Sequence, residues 1–232
     1  MSKKSPKTAA NTSPAAAPAS DSRRGLFITA GALAFAAVAS GAWLWSRGSG
    51  TDASARHPAL ASTHSPSLGS ASAKVHVVEF LDPACETCAA FYPLVKQLMA
   101  EHPDRIRLSL RHVAFHKGSE PVVAMLEASR RQDRYWQVLE ALLGAQGLWV
   151  DHHVVQPQMA RQVVATLGLD MARLEADMQS PEVLQRIAQD RQDAATLNVT
   201  KTPEYFVNGR QMQSFGRQQL QELVRDAVQR AY

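Results

Sequence analysis

Cys85 and Cys88 are the only cysteines in this 232-residue chain, and they stand two residues apart. Their setting constrains the fold more than any other feature. Val75, Val77, Val78 and Phe80 form a short β-branched and aromatic run that ends at the turn pair Asp82-Pro83. Beyond the cysteines, Cys88, Phe91 or Tyr92, Val95, and Leu98 or Met99 recur at spacings of three and four, which predicts a helix. The pair therefore sits where a strand hands over to a helix, with Cys85 at the helix N-terminus. Unpaired backbone N–H groups and the helix dipole stabilise a thiolate there. A pair this close in sequence staples no long loop, so redox chemistry is a better reason for it than stabilisation. Two cysteines also fall short of the several pairs a disulfide scaffold uses. An incidental pair, or half of a zinc site, is the plainer alternative.

Charge excludes one class of partner. Lys3, Lys4, Lys7, Arg23 and Arg24 against Asp21 account for the whole net charge of +4, leaving 20 basic and 20 acidic residues beyond them. No basic face is left for nucleic acid. The first 24 residues are Lys-, Ser-, Pro- and Ala-rich, a composition that predicts disorder. Residues 25–45 follow as about 20 uncharged, mostly apolar positions, the length that spans a bilayer as a helix. Basic residues before it, and Trp43 and Trp45 at its far end, predict a cytoplasmic N-terminus and an exported C-terminus. The run is longer than a signal-peptide core, which favours an uncleaved anchor. Ala53-Ser54-Ala55 and the pair Arg23-Arg24 leave open a cleaved export signal. Residues 46–72 read as a flexible Ser/Ala/Gly/Pro tether, with His57 and His64 as solvated linker residues.

A compact domain is expected over 73–232, long enough for one core. Arg105–Val113 alternates charged and apolar residues and reads as a half-buried strand. Helices are expected over Ser119–Leu143, with a break near Asp133, and then over Pro157–Leu167, Asp170–Asp177 and Pro181–Leu197. Glu204–Val207 and Arg210–Phe215 flank Asn208-Gly209, a strong hairpin signal. Arg217–Tyr232 closes the chain as an amphipathic helix. The order is β-α-β, a helical block over about 118–197, then β-β-α.

That order, with Cys-x-x-Cys at the first strand–helix junction, resembles the thioredoxin fold, and the helical block resembles its DsbA-like subgroup. Pro93 lies inside the cysteine helix, where such proteins often carry a proline. Glu79 stands six residues before Cys85, like the buried acid of DsbA-like proteins. Thr202-Pro203, just ahead of the hairpin, is similar to the family's cis-proline loop. The resemblance implies an α/β fold, a central mixed sheet flanked by helices with a helical insertion, and a thiol–disulfide oxidoreductase. It implies Cys85 as the attacking, exposed sulfur and Cys88 as the resolving one. Glu79 would accept a proton from Cys88 through water, the plainer alternative being a half-buried strand residue. Thr202 and Pro203 would hold an extended substrate, the plainer alternative being an ordinary trans X-Pro turn.

The residues between the cysteines, Glu86 and Thr87, depart from the strong oxidants of the family. A carboxylate beside Cys85 is expected to raise its thiol pKa, giving a weaker oxidant than DsbA. The implied partners are extracytoplasmic proteins with thiols or disulfides, a membrane redox partner of DsbB or DsbD type, and the membrane itself through the N-terminal helix. The implied location is the bacterial inner membrane with the domain in the periplasm, or the periplasm itself after cleavage. A dedicated thiol reductant, as in cytochrome c maturation, and a non-catalytic peptide-binding or chaperone module are the alternatives. Neither a metal nor an organic cofactor is expected. Cys85 and Cys88 with His112 and His116 have zinc-finger residue types, but the gap between the pairs exceeds the usual spacing. His152 and His153 read as surface residues, and Tyr135, Trp136 and Trp149 as core or groove lining.

Overall fold

The computed structural model describes residues 58–60 and 63–232. The anticipated membrane helix over 25–45 and the basic N-terminus lie outside them. Among the described residues, no helix is long and apolar enough to cross a membrane.

Seven strands and eight α-helices follow one another in the described chain: β1 (Ser67–Leu68), β2 (Val75–Leu81), α1 (Glu86–Glu101), β3 (Ile106–His112), α2 (Glu120–Ser129) and α3 (Tyr135–Gly144), then α4 (Gln146–Trp149), β4 (Val150–Asp151), β5 (Val154–Val155), α5 (Pro157–Ala165), α6 (Met171–Met178) and α7 (Pro181–Thr196), and finally β6 (Glu204–Val207), β7 (Arg210–Gln211) and α8 (Arg217–Ala231). The main sheet has the order β1-β3-β2-β6-β7. β2 runs parallel to β3, which requires the α1 crossover, and antiparallel to β6. β4 and β5 form a separate small hairpin.

β2 is covered on both faces, which is why its sequence is almost uninterruptedly apolar. Val75, Val77 and Leu81 face the larger core cluster, shared with α1, α8 and the helical block. Val78 and Phe80 face a smaller cluster with Leu60, Ala194 and Phe206. Full burial of each large side chain contributes roughly 1.5–3 kcal/mol. Glu79 has the parity of Val77 and Leu81, so it points into the larger core.

Helix punctuation follows the sequence. Asp170 and Ser180 cap α6 and α7 by accepting from the N–H groups of Arg173 and Val183. Asp133 adopts a left-handed conformation with φ 56°, which makes the expected break between α2 and α3. Asn208 and Gly209 both have positive φ, as a two-residue hairpin turn requires.

Three expectations are corrected. β7 stops at Gln211 instead of reaching Phe215. β3 is not half-buried: Leu108 to His112 are all enclosed, because β1, β2 and α7 surround it. The tether expected to run to residue 72 reaches into the folded domain. Ser67 and Leu68 pair with β3, and Ala59 and Leu60 are buried. Gly69 turns the chain onto β3 at φ +92°, where an added Cβ would stand 2.3 Å from the Ile106 carbonyl oxygen.

An ion cluster holds that segment in place. The Arg111 guanidinium is fully buried and donates to Asp190, to Asp193 and to the Ala59 carbonyl oxygen. Asp190 also accepts from the His112 backbone N–H at 2.7 Å and pairs with His64 Nε2 at 2.8 Å. His64 is therefore part of the fold, not a solvated linker residue. Burial pushes the Asp190 carboxyl up, but His64, Arg111 and the His112 N–H outweigh it and hold its pKa below the ordinary value.

Candidate active site

Asp82-Pro83-Ala84 turns the chain from the end of β2 into α1, and Cys85 is the N-cap of that helix. Its backbone is extended while its sulfur accepts from the Cys88 N–H at 3.4 Å. A cap sulfur thus occupies the place a Ser or Asp oxygen usually takes, at the positive end of the helix dipole. Both cysteines are present as free thiols. Cys85 is 6% exposed and Cys88 is fully enclosed. Cys85 is thus more enclosed than the exposed sulfur expected, yet it remains the one an incoming disulfide can reach.

The two sulfurs titrate in opposite directions. The Cys88 thiol donating to Cys85 favours the Cys85 thiolate most; burial opposes it, and the Thr202 side chain and the backbone N–H groups of Cys88 and Thr87 add to the stabilisation. Cys85 is lowered to about 5. Cys88 is raised, by burial first, then by its hydrogen bond to Cys85 and by the charges of Glu79 and Cys85. This corrects the anticipated effect of Glu86. Its side chain is exposed on the first helical residue, where water screens it, while aligned backbone donors act directly on the sulfur. Thr87 is exposed as well, and it acts through its backbone.

The Thr202-Pro203 peptide is cis. The Thr202 carbonyl oxygen accepts from the Cys85 thiol at 3.3 Å, so this loop and the cysteine pair face one another although 117 residues separate them. Glu79 is fully buried, and its strand partner is Tyr205 on β6. The Tyr205 hydroxyl interacts with the Glu79 carboxyl too loosely for a well-formed hydrogen bond, and neither group has another partner among the described residues. Burial pushes the Glu79 carboxyl up to about 8, with Tyr205 partly offsetting it and the charge of Cys85 adding to it. At neutral pH Glu79 carries its proton in the larger core, to which Cys88 belongs. Glu79, Cys85, Cys88, Thr202 and Pro203 therefore come together as the sequence suggests.

His112 and His116 do not join them. His112 Nε2 meets the Tyr135 hydroxyl at 2.6 Å, and His116 Nδ1 meets Asp82 at 2.9 Å. Among the described residues, no group of three His, Cys, Asp or Glu is arranged to hold a metal ion. His152 is exposed, whereas Trp149 is fully buried and donates from Nε1 to the Leu142 carbonyl oxygen.

One residue of the site escaped sequence reasoning. Asp82 signals only a turn, yet its carboxylate is fully buried and collects donors from two loops. The Asp-Pro pair does predict the local Asx-turn to the Ala84 N–H; nothing local predicts the rest. From the helical block, Gln146 Nε2 donates to the Pro83 carbonyl oxygen at 2.9 Å. Phe115, 46% exposed, and Phe215, 43% exposed, stand on the loops that contact Asp82 and Phe91 respectively, giving the site apolar margins.

Comparison with known proteins agrees with this geometry. The family model described as thioredoxin matches residues 61–226. A thiol:disulfide interchange protein DsbA from Bordetella parapertussis is 27% identical over 144 residues, covering 61% of this chain and 66% of its own length. A Na(+)/H(+) antiporter NhaA from Herminiimonas arsenicoxydans is 29% identical over 144 residues, 62% of this chain; the chain spans only about a fifth (22%) of that antiporter. A thioredoxin-like oxidoreductase from Silicibacter pomeroyi superposes with a TM-score of 0.64 at 29% identity, over 76% of this chain and 96% of that one. The chain belongs to the thioredoxin family, as a DsbA-like member of it.

Proposed function

We propose that this protein is an extracytoplasmic thiol–disulfide oxidoreductase that exchanges disulfides with protein thiols through Cys85 and Cys88. The observation that carries the reading is the split between the sulfurs: a helix-capping Cys85 lowered to about 5 beside an enclosed, raised Cys88. In the reducing direction, the Cys85 thiolate attacks a substrate disulfide and forms a mixed disulfide, expelling one substrate thiolate. Glu79, in the fraction that is deprotonated as pH approaches its pKa of about 8, takes the proton of Cys88. The Cys88 thiolate then attacks Cys85, closing the Cys85–Cys88 disulfide and releasing the second substrate thiolate. In the oxidising direction the same steps run backwards, and Glu79 returns the proton to Cys88. Thr202 and Pro203 hold the substrate chain beside Cys85.

A thiol at about 5 lies between those of DsbA, about 3.5, and thioredoxin, about 7. A thiolate less stabilised than that of DsbA favours the disulfide form more, which supports a weaker oxidant than DsbA. A membrane partner of DsbB or DsbD type would reset the pair, and the apolar segment over 25–45 would hold the domain at the membrane. The Bordetella relative is named as a thiol:disulfide interchange protein, which supports the exchange reading.

Equilibration with glutathione buffers tests this reading. We expect a defined two-electron transition in the wild type, none in Cys85→Ser, and in Cys88→Ser a trapped mixed disulfide with a disulfide substrate, which releases one thiolate. Peptide binding that survives with no exchange in the wild type would replace the enzyme by a binding module.

A further inference from the structure

Building on that reading, the geometry points to Asp82 as the positioning residue of the Cys85 nucleophile, which it fixes by tying the redox turn to the loop between β3 and α2. Five donors converge on its carboxylate. The Ala84 N–H at 2.9 Å and the Ser119 hydroxyl at 2.5 Å reach Oδ1. The Phe115 N–H at 2.7 Å, the His116 N–H at 2.9 Å and His116 Nδ1 at 2.9 Å reach Oδ2. The backbone of the same residue completes the turn, since its carbonyl oxygen accepts from the Cys85 N–H at 3.0 Å.

Each contact bears on where the sulfur stands. The Ala84 and Cys85 bonds shape the turn that delivers Cys85 to the N-cap position. The other four anchor that turn to loop 113–119, whose end starts α2: the Val122 and Val123 N–H groups donate to the Ser119 carbonyl oxygen at 3.0 Å. Capping is sensitive to such placement, because the Cys88 and Thr87 N–H groups favour the thiolate only while they aim at it. The titratable groups around the sulfur are Cys88, Glu79 and Tyr205. The Asp82 backbone also donates to Cys88, but the Asp82 carboxylate bonds to none of the three. Asp82 thus acts on Cys85 through backbone position.

Asp82→Asn in the full-length protein tests the assignment. Whichever way the amide turns, at least one backbone N–H loses its acceptor, while the side-chain volume is kept. The Cys85 titration is read from thiolate ultraviolet absorbance and from the rate of alkylation by iodoacetamide. We expect the thiol pKa to rise by about one unit, which lowers alkylation at pH 5 about fivefold and shifts the glutathione equilibrium about tenfold toward the disulfide form. Ser119→Ala removes one donor and should raise the same pKa by a smaller amount, about a twofold change in that equilibrium. A folded Asp82→Asn protein whose Cys85 pKa is unchanged would leave Asp82 with a structural role only. A lower pKa would make its charge, not its placement, the relevant property, and would equally overturn the assignment. If Asp82→Asn does not fold, an unchanged pKa in Ser119→Ala overturns it. A wild type that titrates near pH 5 yet exchanges nothing with glutathione sinks the oxidoreductase reading and leaves this one standing.

Discussion

Glu79 and Asp82 are both fully buried carboxyls, three residues apart, and the fold treats them in opposite ways. Glu79 has only a loosely placed Tyr205 hydroxyl beside it among the described residues, and burial lifts its pKa to about 8. Asp82 is met by five donors from two loops. The strand decides which is which. Glu79 lies inside β2, where the backbone N–H groups are spent on β3 and β6; Asp82 lies one residue past its end, where N–H groups are free to turn inward. The same side-chain chemistry becomes a proton store in one place and a structural clamp in the other. A buried acid is informative only once its donors are counted.

The largest expected effect tests the well-partnered extreme at a third buried acid. Arg111→Ala leaves Asp190 and Asp193 without their guanidinium and should cost about 3–5 kcal/mol, read by denaturant unfolding. Asp190 carries the corresponding pH dependence: with a lowered pKa, its contribution is present above the ordinary Asp range and is lost as pH falls through its folded value. A loss below about 1 kcal/mol would mean that the cluster is not a clamp.

Glu79 has the opposite sign. Its pKa is raised, so the native state binds the extra proton between about 4.5 and about 8 and loses stability as pH rises through that window. Glu79→Gln, which keeps the neutral form at every pH, should match the wild type near pH 5 and exceed it by on the order of 3 kcal/mol at pH 8. It should also slow release of the mixed disulfide, because no carboxylate remains to take the Cys88 proton. Parallel stability curves for the two proteins from pH 5 to 8 would remove Glu79 as a proton store.

A smaller effect is kinetic. Alkylation of Cys85 in the wild type should reach half its plateau rate near pH 5. A midpoint near 8 would show that capping does little for the sulfur and would dissolve the contrast between the cysteines. Smallest of all, Ser180→Ala removes an ordinary helix cap and should cost about 1 kcal/mol while leaving the Cys85 midpoint in place.

What the sequence made legible is what neighbouring residues decide. Cys85 and Cys88 at a strand end, the turn residues Asn208 and Gly209, and the caps Asp170 and Ser180 each act within a few positions, and the fold places them as expected. Thr202-Pro203 was legible through its flanking residues, even though its partner lies 117 residues away. The missed features are long-range. Asp82 and His116 are 34 residues apart, and His64 and Asp190 are 126 apart; neither pair leaves a periodic trace. The Ser67–Leu68 strand was hidden by its small polar neighbours, because its two residues are defined by β3 rather than by their own propensity. Glu86 misled for the complementary reason: its charge is obvious in sequence, and its exposure is not.

The low pKa of Cys85 also fixes an electrochemical stoichiometry. Above about pH 5 the dithiol already exists as one thiolate and one thiol, so closing the disulfide releases two electrons and a single proton. The midpoint potential should then drift by about 30 mV per pH unit, and by about twice that below pH 5, where both sulfurs are protonated. Between about pH 5 and the raised Cys88 pKa, this couple should be only half as sensitive to acidity as an ordinary dithiol.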